Sequence, residues 1–360
     1  MDSIFSGKRL IGLGESTHGT SEFTTMRHRI FKYLVENHGY NTFFLEADYS
    51  ACKRVNRYIH GADDYVDSAL NKVKFFPWMT REMSELVNWM RQYNFENDNI
   101  LNFVGCDMQF FVDDVEELKI KFVHDSSLVS RIEILDSLLY KMRVLDKNNL
   151  NQAKEIWKEI EHDLDADRSI DWLMTKQGVR HYLDYYNNSP YNYRDSCMAD
   201  NIARYIELNP NSKGIFFAQN GHVSKFISTY KNLEPVKKAG FYLTEKFNSK
   251  YAAFAFTSNQ GYFNVMDYST KVLPTKTSQV FRKFDKNRSI EESFSETDFQ
   301  IALLPLSKIN LNKRCSITDI GAVVGTVPGF PKTPESMALK ASYYDGIFFI
   351  RNTTSTDLIK

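Results

Sequence analysis

The sequence predicts an α/β fold in which a twisted, largely parallel sheet is flanked by helices and carries an inserted helical lobe. Short apolar runs of strand length alternate with amphipathic segments of helix length over the first third of the chain. Residues 128–164 instead place leucine and isoleucine three or four positions apart, with no strand signal and almost no glycine or proline. We therefore predict an α/β core over residues 1–111 and 194–360, and a helical insertion, a lobe or lid, over residues 112–193.

The composition excludes several classes of protein. A hydrophobic fraction of 42% and an aromatic fraction of 14% supply a large core, so a disordered chain is excluded. Lysine plus arginine equals aspartate plus glutamate at 45 each, which argues against a broad positive surface for acidic partners. We therefore predict neither a nucleic-acid partner nor a membrane partner.

The cysteines and the hydropathy pattern predict a cytoplasmic location. The four cysteines lie far apart and match neither a disulfide framework nor a zinc-ligand spacing, which suits a reducing compartment. Residues 1–8 lack the basic and apolar regions of a signal peptide, and no apolar run is long enough to span a bilayer.

The first predicted strand is the apolar run that follows Arg9 and ends in Gly12 and Gly14. It is too short for a helix, and its lack of polar alternation indicates burial on both faces. Gly39 is expected to end the next helix. The elements predicted after this strand are a helix over Ser21–Asn37, a strand over Asn41–Asp48, helices over Tyr49–Ile59 and Arg81–Tyr93, and a strand over Asn99–Cys106.

Beyond the insertion the alternation of helices and strands resumes. A helix begins at Arg194 and is stopped by Asn209 and Pro210. The segment 271–296, rich in lysine, serine, arginine and glutamate, is predicted to be an exposed excursion. The later strands are predicted over Lys213–Asn220, Tyr251–Phe256, Gly261–Val265, Phe299–Leu304 and Gly346–Ile350.

Polar side chains end or follow four of the predicted strands. Because the carboxyl ends of neighbouring parallel strands meet at one edge of a sheet, where ligands bind, we predict a functional site there. The alternative is a structural turn in which the first of these groups only cap a helix. In chain order the groups are Glu15 and His18, Glu46 and Asp48, Asp107, and Asn220 and His222.

Several motifs occur in an order that identifies a family. They are Gly14-Glu15-Ser16-Thr17-His18-Gly19, Glu46-Ala47, Phe76-Pro77-Trp78, Gly105-Cys106-Asp107, Arg194-Asp195-Ser196-Cys197-Met198-Ala199, Asn220-Gly221-His222-Val223 and Tyr344-Asp345-Gly346-Ile347. On these motifs, nearly the whole chain resembles the erythromycin esterase family. The resemblance implies a two-lobed α/β hydrolase fold and cleavage by water of an ester, which in the antibiotic-resistance enzymes is the macrolide lactone. We therefore predict a small-molecule ester or lactone as partner and no cofactor.

The active-site pattern of the family carries over to this chain with one departure. The family has two histidines around the fourth strand end, in the order His-Asn-x-His, and Gln219 stands in place of the first. A glutamine amide forms hydrogen bonds but does not exchange a proton near neutral pH. The residues that match the pattern are Glu15, His18, Arg27, Glu46 and His222.

His18 is predicted to be the general base. An imidazole titrates near neutral pH and can take a proton from the water that attacks an ester carbonyl. Glu15 or Glu46 is expected to hold its other ring nitrogen. His222 is expected to polarise the carbonyl or to protonate the leaving alkoxide. Ser16 does not lie in a Gly-x-Ser-x-Gly elbow, so a covalent serine mechanism is not predicted.

Arginines, amides and aromatic rings complete the predicted site. Arg27 and Arg194 are expected to stabilise the oxyanion or to orient carboxylates, and Asp107 and Asp195 to position these arginines. An apolar pocket for a bulky substrate, with ordinary packing as the alternative, is predicted to use Phe75, Phe76, Trp78, Tyr182, Tyr185, Tyr186, Tyr191 and Tyr193. The residues predicted to contact the substrate are Arg194, Gln219, Asn220, Asp107, Trp78 and Phe76.

Two other functions stay open. The first is a metal-dependent hydrolase, since zinc and manganese use the same donor types. The second is a protein that binds a ligand without hydrolysing it, because Gln219 replaces a proton-exchanging residue. The donors available to a metal are Glu15, His18, Glu46, Asp107 and His222.

Overall fold

The computed structural model describes residues 2–62, 65–141, 147–164, 167–185, 190–228, 235–268, 276–284, 287–309, 311, 315–325 and 335–359. The strands are β1 Leu10–Leu13, β2 Thr42–Asp48, β3 Asn102–Asp107, β4 Gly214–Phe217, β5 Ile227–Ser228, β6 Val236–Lys237, β7 Tyr251–Tyr268, β8 Ser278–Lys283, β9 Ile301–Pro305, β10 Ser316–Thr318, β11 Val323–Gly325, β12 Ser336–Ala338 and β13 Gly346–Thr353.

Helices connect these strands and cover both faces of the main sheet. The helices are α1 Asp2–Phe5, α2 Ser21–His38, α3 Tyr49–Ile59, α4 Val66–Asn71, α5 Arg81–Glu96, α6 Val112–Lys121, α7 Ser126–Lys141, α8 Lys147–Leu164, α9 Ile170–Tyr185, α10 Pro190–Leu208, α11 Asn220–Val223, α12 Ala239–Phe247 and α13 Ile290–Ser295, with 3₁₀ turns at Phe76–Trp78, Asn248–Lys250 and Leu306–Lys308. None of the helices in the described ranges combines the length and the apolar character needed to cross a bilayer.

The main sheet is mixed and mostly parallel, which confirms the predicted fold class. Its central strands run in the order β3–β2–β4–β1–β7–β13–β9, with neighbours parallel except at the β13–β9 edge. Ile11 and Leu13 face one apolar core and Leu10 faces the other, so β1 is buried on both sides as predicted. The four strands β3, β2, β4 and β1 are therefore neighbours whose carboxyl ends share one edge.

Local sequence sets the ends of several helices. α2 ends at Gly39, whose φ of 68° confirms the predicted stop. α5 begins after Thr80, whose hydroxyl accepts a hydrogen bond from the backbone N–H of Met83. α10 begins at Pro190 rather than at Arg194. The boundary predicted between lobe and core at residue 194 thus lies inside a helix, and the division into domains stays a prediction.

Helices α6–α9 occupy the predicted insertion and share an apolar core of their own. Tyr182 is buried in that core with its ring centroid 4.8 Å from the centroid of Phe111, and Tyr185 and Tyr193 pack against the same core. The alternative of ordinary packing therefore holds for these three tyrosines. Two predicted pocket groups lie outside the described residues: Tyr186 and the side chain of Tyr191.

Two predictions about the later strands were wrong. The predicted strands Tyr251–Phe256 and Gly261–Val265 form the single strand β7, because its second half continues by pairing with β8. The predicted excursion at 271–296 contains β8 and α13, and Ile290 and Phe294 of α13 are buried. Most side chains of β8 are exposed, so no buried apolar run marks this segment as a strand before it pairs with β7. Residues 271–275 and 285–286 lie outside the described residues.

Candidate active site

The site lies at the carboxyl edge shared by β1, β2, β3 and β4. The segment after β1 supplies Glu15 and His18, and the segment after β4 supplies Gln219 and His222. Glu46 lies near the end of β2, and the last residue of β3 is Asp107. Side-chain hydrogen bonds join these groups into two separate clusters.

The first cluster consists of Arg27, Glu15 and His18. The Nδ1 atom of His18 lies 2.5 Å from the Oε1 atom of Glu15, and the other carboxylate oxygen of Glu15 accepts a hydrogen bond from Arg27 Nη2. Arg27 is itself fixed, because its Nε atom donates to the carbonyl of Phe23 and its Nη1 atom to the carbonyl of Gly14. All three side chains are buried, so the cluster holds the imidazole in one orientation.

The Arg27 guanidinium lies against the ring of Phe217, 3.2 Å from its centroid, and is fully buried. It therefore has no path to a substrate and orients the Glu15 carboxylate instead. Of the two roles predicted for Arg27, the structure supports only the second. Burial lowers the pKa of His18, but the adjacent Glu15 carboxylate raises it, and the net effect is a raised pKa.

The second cluster is built on Arg194. Its Nε and Nη2 atoms donate to the two oxygens of Asp107 at 3.1 and 2.7 Å, and Nη2 also donates to Glu46 Oε1 at 2.7 Å. The other oxygen of Glu46 accepts the backbone N–H of Gln219 at 2.9 Å. Glu46 of β2 thus binds both Arg194 on α10 and the backbone of Gln219 in the segment after β4.

His222 joins this cluster through its Nε2 atom. Nε2 lies 3.2 Å from Arg194 Nη1 and 3.3 Å from Glu46 Oε1. The Nδ1 atom lies 2.8 Å from Asp195 Oδ1. Burial raises the pKa of Asp195, but Lys238 and His222 lower it by a larger amount, and the net pKa is about 2. The Asp195 carboxylate therefore accepts the hydrogen of His222 Nδ1. Asp195 was predicted to position an arginine. It orients His222 instead, because Asp195 Oδ1, on α10, accepts the hydrogen of His222 Nδ1 together with the backbone N–H of Ala239 at 2.8 Å.

Asn220 does not present its side chain to the site. The amide donates to the carbonyl of Phe256 at 2.8 Å and accepts the N–H of the same residue at 2.9 Å. It also fills the space beside Gly14, where a Cβ would lie 2.3 Å from Asn220 Oδ1. The prediction of a substrate contact was wrong for Asn220, since its fully buried amide ties α11 to β7. The side chain of Asp48 likewise binds the backbone outside the two clusters, since its Oδ1 atom accepts the N–H of Phe110 at 3.0 Å.

Aromatic rings surround His18. The ring centroid of Trp78 lies 5.4 Å from that of His18, nearly perpendicular to it, and the centroid of Phe75 lies 6.0 Å away. Trp78 is fully buried and donates its indole N–H to the carbonyl of Glu46, so it supports the site from behind. Phe76 packs edge-on against Phe75, with centroids 5.7 Å apart. Direct contact with a substrate therefore stays a prediction for Phe76 and is not available to Trp78.

Sequence reasoning missed Asp319 and Lys238. The Oδ1 atom of Asp319 accepts a hydrogen bond from the amide of Gln219 at 2.9 Å, and Lys238 Nζ lies 3.6 Å from Asp195 Oδ2. Both residues lie outside the motifs that the strand ends carry, so no local pattern marks them. Only the tertiary fold brings them to the site.

The donor atoms do not fit a metal ion. In the part of the chain that the structure describes, no three histidine, cysteine, aspartate or glutamate side chains converge in a way that could hold one. Arg27 and Arg194 occupy the carboxylates that would serve as ligands. These contacts leave His18 and His222 in separate clusters rather than in one coordination sphere.

Glu46 is expected to contribute to stability in a pH-dependent way. Burial raises its pKa, but the charges of His222 and Arg194 lower it to about 2 from an ordinary value of 4.5. A lowered pKa stabilises the folded state above pH 4.5, and this contribution is lost as the pH falls towards 2. The shift corresponds to about 3 kcal/mol. We expect Glu46→Gln to flatten the decline in unfolding free energy, measured with urea, between about pH 5 and pH 2. Identical slopes in both proteins would contradict this.

Comparisons with known proteins identify relatives of this chain and of its fold. A sequence model of the family described as erythromycin esterase matches residues 35–353. Erythromycin esterase type I of Escherichia coli is 24% identical over 296 residues, which cover 71% of each chain. A crystal structure of a Bacillus cereus protein is 25% identical with a TM-score of 0.79, covering 99% of this chain and 92% of its own.

A further crystal structure, of a mutant of the erythromycin esterase EreC in its open conformation, shares the fold. Its TM-score is 0.75 at 19% identity, and the alignment covers 100% of this chain and 94% of that one. The family model spans most of the chain, including β2, β3, β4 and the His222 segment. The chain therefore belongs to the erythromycin esterase family.

Proposed function

We propose that this protein hydrolyses an ester or lactone with a water molecule that His18 activates. Family membership supports an esterase-like hydrolase. The observation that carries the proposal is the buried chain of contacts from Arg27 through Glu15 to His18. Glu15 accepts the Nδ1 hydrogen of His18, which leaves Nε2 with the lone pair that takes a proton from water. The raised pKa of His18 suits a group that becomes charged during the attack.

Arg194 is the group we propose for the oxyanion. Four of its five N–H hydrogens bind Asp107, Glu46 and His222. The remaining hydrogen, on Nη1, has no partner among the described residues, and the side chain is 18% exposed. A fixed donor of this kind stabilises negative charge that develops on a carbonyl oxygen. After attack, the proton that His18 Nε2 takes from water passes to the leaving alkoxide, which completes hydrolysis to an acid and an alcohol.

The helical insertion is proposed to form a lobe over the site. Its two ends are anchored in the second cluster, since Asp107 precedes it and Arg194 and Asp195 follow it. Movement of the lobe would therefore move residues that position Glu46 and His222. The substrate would enter between this lobe and the edge of the sheet.

A turnover screen tests the proposal. Macrolide lactones come first, because a relative is named erythromycin esterase type I, followed by simple esters and amides. Release of acid from at least one ester or lactone is expected. If the protein binds one of these compounds without cleaving it, and Gln219→His creates turnover, the function is binding without hydrolysis.

Chelation is expected to leave turnover unchanged. The carboxylates of both clusters are bound to arginines, so removing metal ions takes nothing from the proposed proton path. The measurement is the rate of acid release after dialysis against EDTA, with and without added zinc or manganese. Loss of activity that one metal restores would establish the metal-dependent alternative.

A further inference from the structure

Gln219 occupies a fixed position between the two clusters. Its backbone N–H donates to Glu46 Oε2 at 2.9 Å, which ties it to the second cluster. Its side-chain amide lies against Gly321, where a Cβ would be 2.8 Å from Gln219 Oε1. The carbonyl of Gly321 accepts the backbone N–H of His18 at 3.1 Å, so this contact reaches the first cluster.

Asp319 fixes which end of the Gln219 amide faces it. Its Oδ1 atom accepts hydrogen bonds from Gln219 Nε2 at 2.9 Å and from the backbone N–H of Gly221 at 3.3 Å. Because Asp319 Oδ1 acts as an acceptor in both hydrogen bonds, the Gln219 amide must turn its nitrogen towards Asp319 and its carbonyl oxygen away. Rotation of the amide by 180° would place two acceptors together.

The amide oxygen that results is an unused acceptor. Gln219 is half-buried, and its Oε1 atom has no hydrogen-bond partner in the described ranges. Gly321 has a φ of 72°, a conformation that larger residues adopt with strain, and its missing side chain leaves room for the amide. The backbone of the Asp319 segment is held in turn, because the N–H groups of Ile320 and Gly321 donate to the carbonyl of Ser16.

We propose that Gln219 Oε1 accepts a hydrogen bond from a hydroxyl group of the substrate, and that Asp319 is the positioning residue that keeps this oxygen available. The inference rests on the proposed function and specifies its substrate class: an ester or lactone with a hydroxyl close to the acyl carbonyl. Closeness follows from the position of Gln219, which contacts Glu46 on one side and, on the other, Gly321, whose carbonyl accepts the backbone N–H of His18. A carbonyl oxygen accepts a hydrogen bond from a hydroxyl group, whereas an ether at the same place has no hydrogen to donate.

Matched substrates test the inference. Ethyl esters of 2- and 3-hydroxy acids are compared with their O-methyl ethers, with acid release followed by pH-stat. In at least one pair we expect the hydroxy ester to have a kcat/KM about tenfold higher, as one hydrogen bond supplies. Gln219→Met is expected to bring the ratio close to one, with Gln177→Met, a similar half-buried glutamine on α9, as the control that keeps it.

Asp319→Asn tests the positioning role. An asparagine can donate as well as accept, so the Gln219 amide is no longer held in one orientation. We expect the preference for the hydroxy ester to fall, mainly through a higher KM for that ester rather than through kcat. A purely structural role would lower kcat for both members of a pair equally, and that result would overturn the assignment of Asp319.

Binding measurements separate this inference from the proposed function. The affinities of the hydroxy and methoxy esters for the His18→Asn variant, measured by calorimetry, do not depend on turnover. Equal affinities, or equal kcat/KM values in every pair, would overturn the inference and leave hydrolysis by His18 intact. A hydroxyl preference in binding without any hydrolysis by the unaltered protein would instead reject the proposed function and support the inference.

Discussion

Replacing His18 with asparagine is expected to lower kcat/KM by about 10²–10⁴-fold while the protein stays folded. His18 is the one imidazole whose Nδ1 atom is held by Glu15, and Glu15 keeps its contact with Arg27 when the ring is removed. The loss should appear in kcat, because the ring acts on the attacking water rather than on ground-state binding. The measurement is the steady-state rate with the best ester or lactone of the screen.

His28→Asn is the matched control for that variant. His28 lies on α2 and packs against Trp89, with ring centroids 5.4 Å apart, away from both clusters. Its replacement is expected to leave turnover unchanged. The far-ultraviolet circular dichroism and thermal unfolding of both variants are compared with those of the unaltered protein. Turnover that survives in a folded His18→Asn variant would remove His18 as the general base.

The part of the site that the sequence predicts well is the part that local pattern encodes. Glu15, His18 and Glu46 end or follow short apolar strands, and parallel pairing alone is enough to bring such ends to one edge. A strand end determines the edge at which a side chain lies but not where that side chain points. Asn220 shows the difference, since it lies at the right edge and yet turns inward to the backbone of Phe256.

The part that the sequence does not predict depends on pairing between distant segments. β8 exists because β7 continues far enough to pair with it, and its own residues read as an exposed charged segment. Contacts between distant segments bring Asp319 to Gln219, among them the pairing of β11 with β7 and the bridge between Thr17 and Gly321. No window of the sequence contains both partners, so neither propensity nor periodicity could reveal the contact.

The largest effect on stability is expected from Arg27→Met. Arg27 is fully buried, and burial lowers its pKa to about 10, so it stays charged at neutral pH and neutralises Glu15. Removing it leaves a buried carboxylate without its cation, and it leaves the carbonyl of Gly14 without the Arg27 donor. Breaking a buried pair in this way typically costs about 3–5 kcal/mol of unfolding free energy. Urea unfolding at neutral pH measures the loss.

The double variant Arg27→Met with Glu15→Gln separates the unpaired charge from the lost packing. Because it buries no charge, it is expected to be more stable than Arg27→Met alone, although it should lack turnover for want of the Glu15 carboxylate. Arg204→Met is the surface control, since Arg204 forms an exposed pair with Glu207 at 3.5 Å, and we expect it to cost less than about 0.5 kcal/mol. If Arg27→Met is no less stable than the double variant, the guanidinium does not neutralise Glu15, and the orientation of His18 must depend on other contacts.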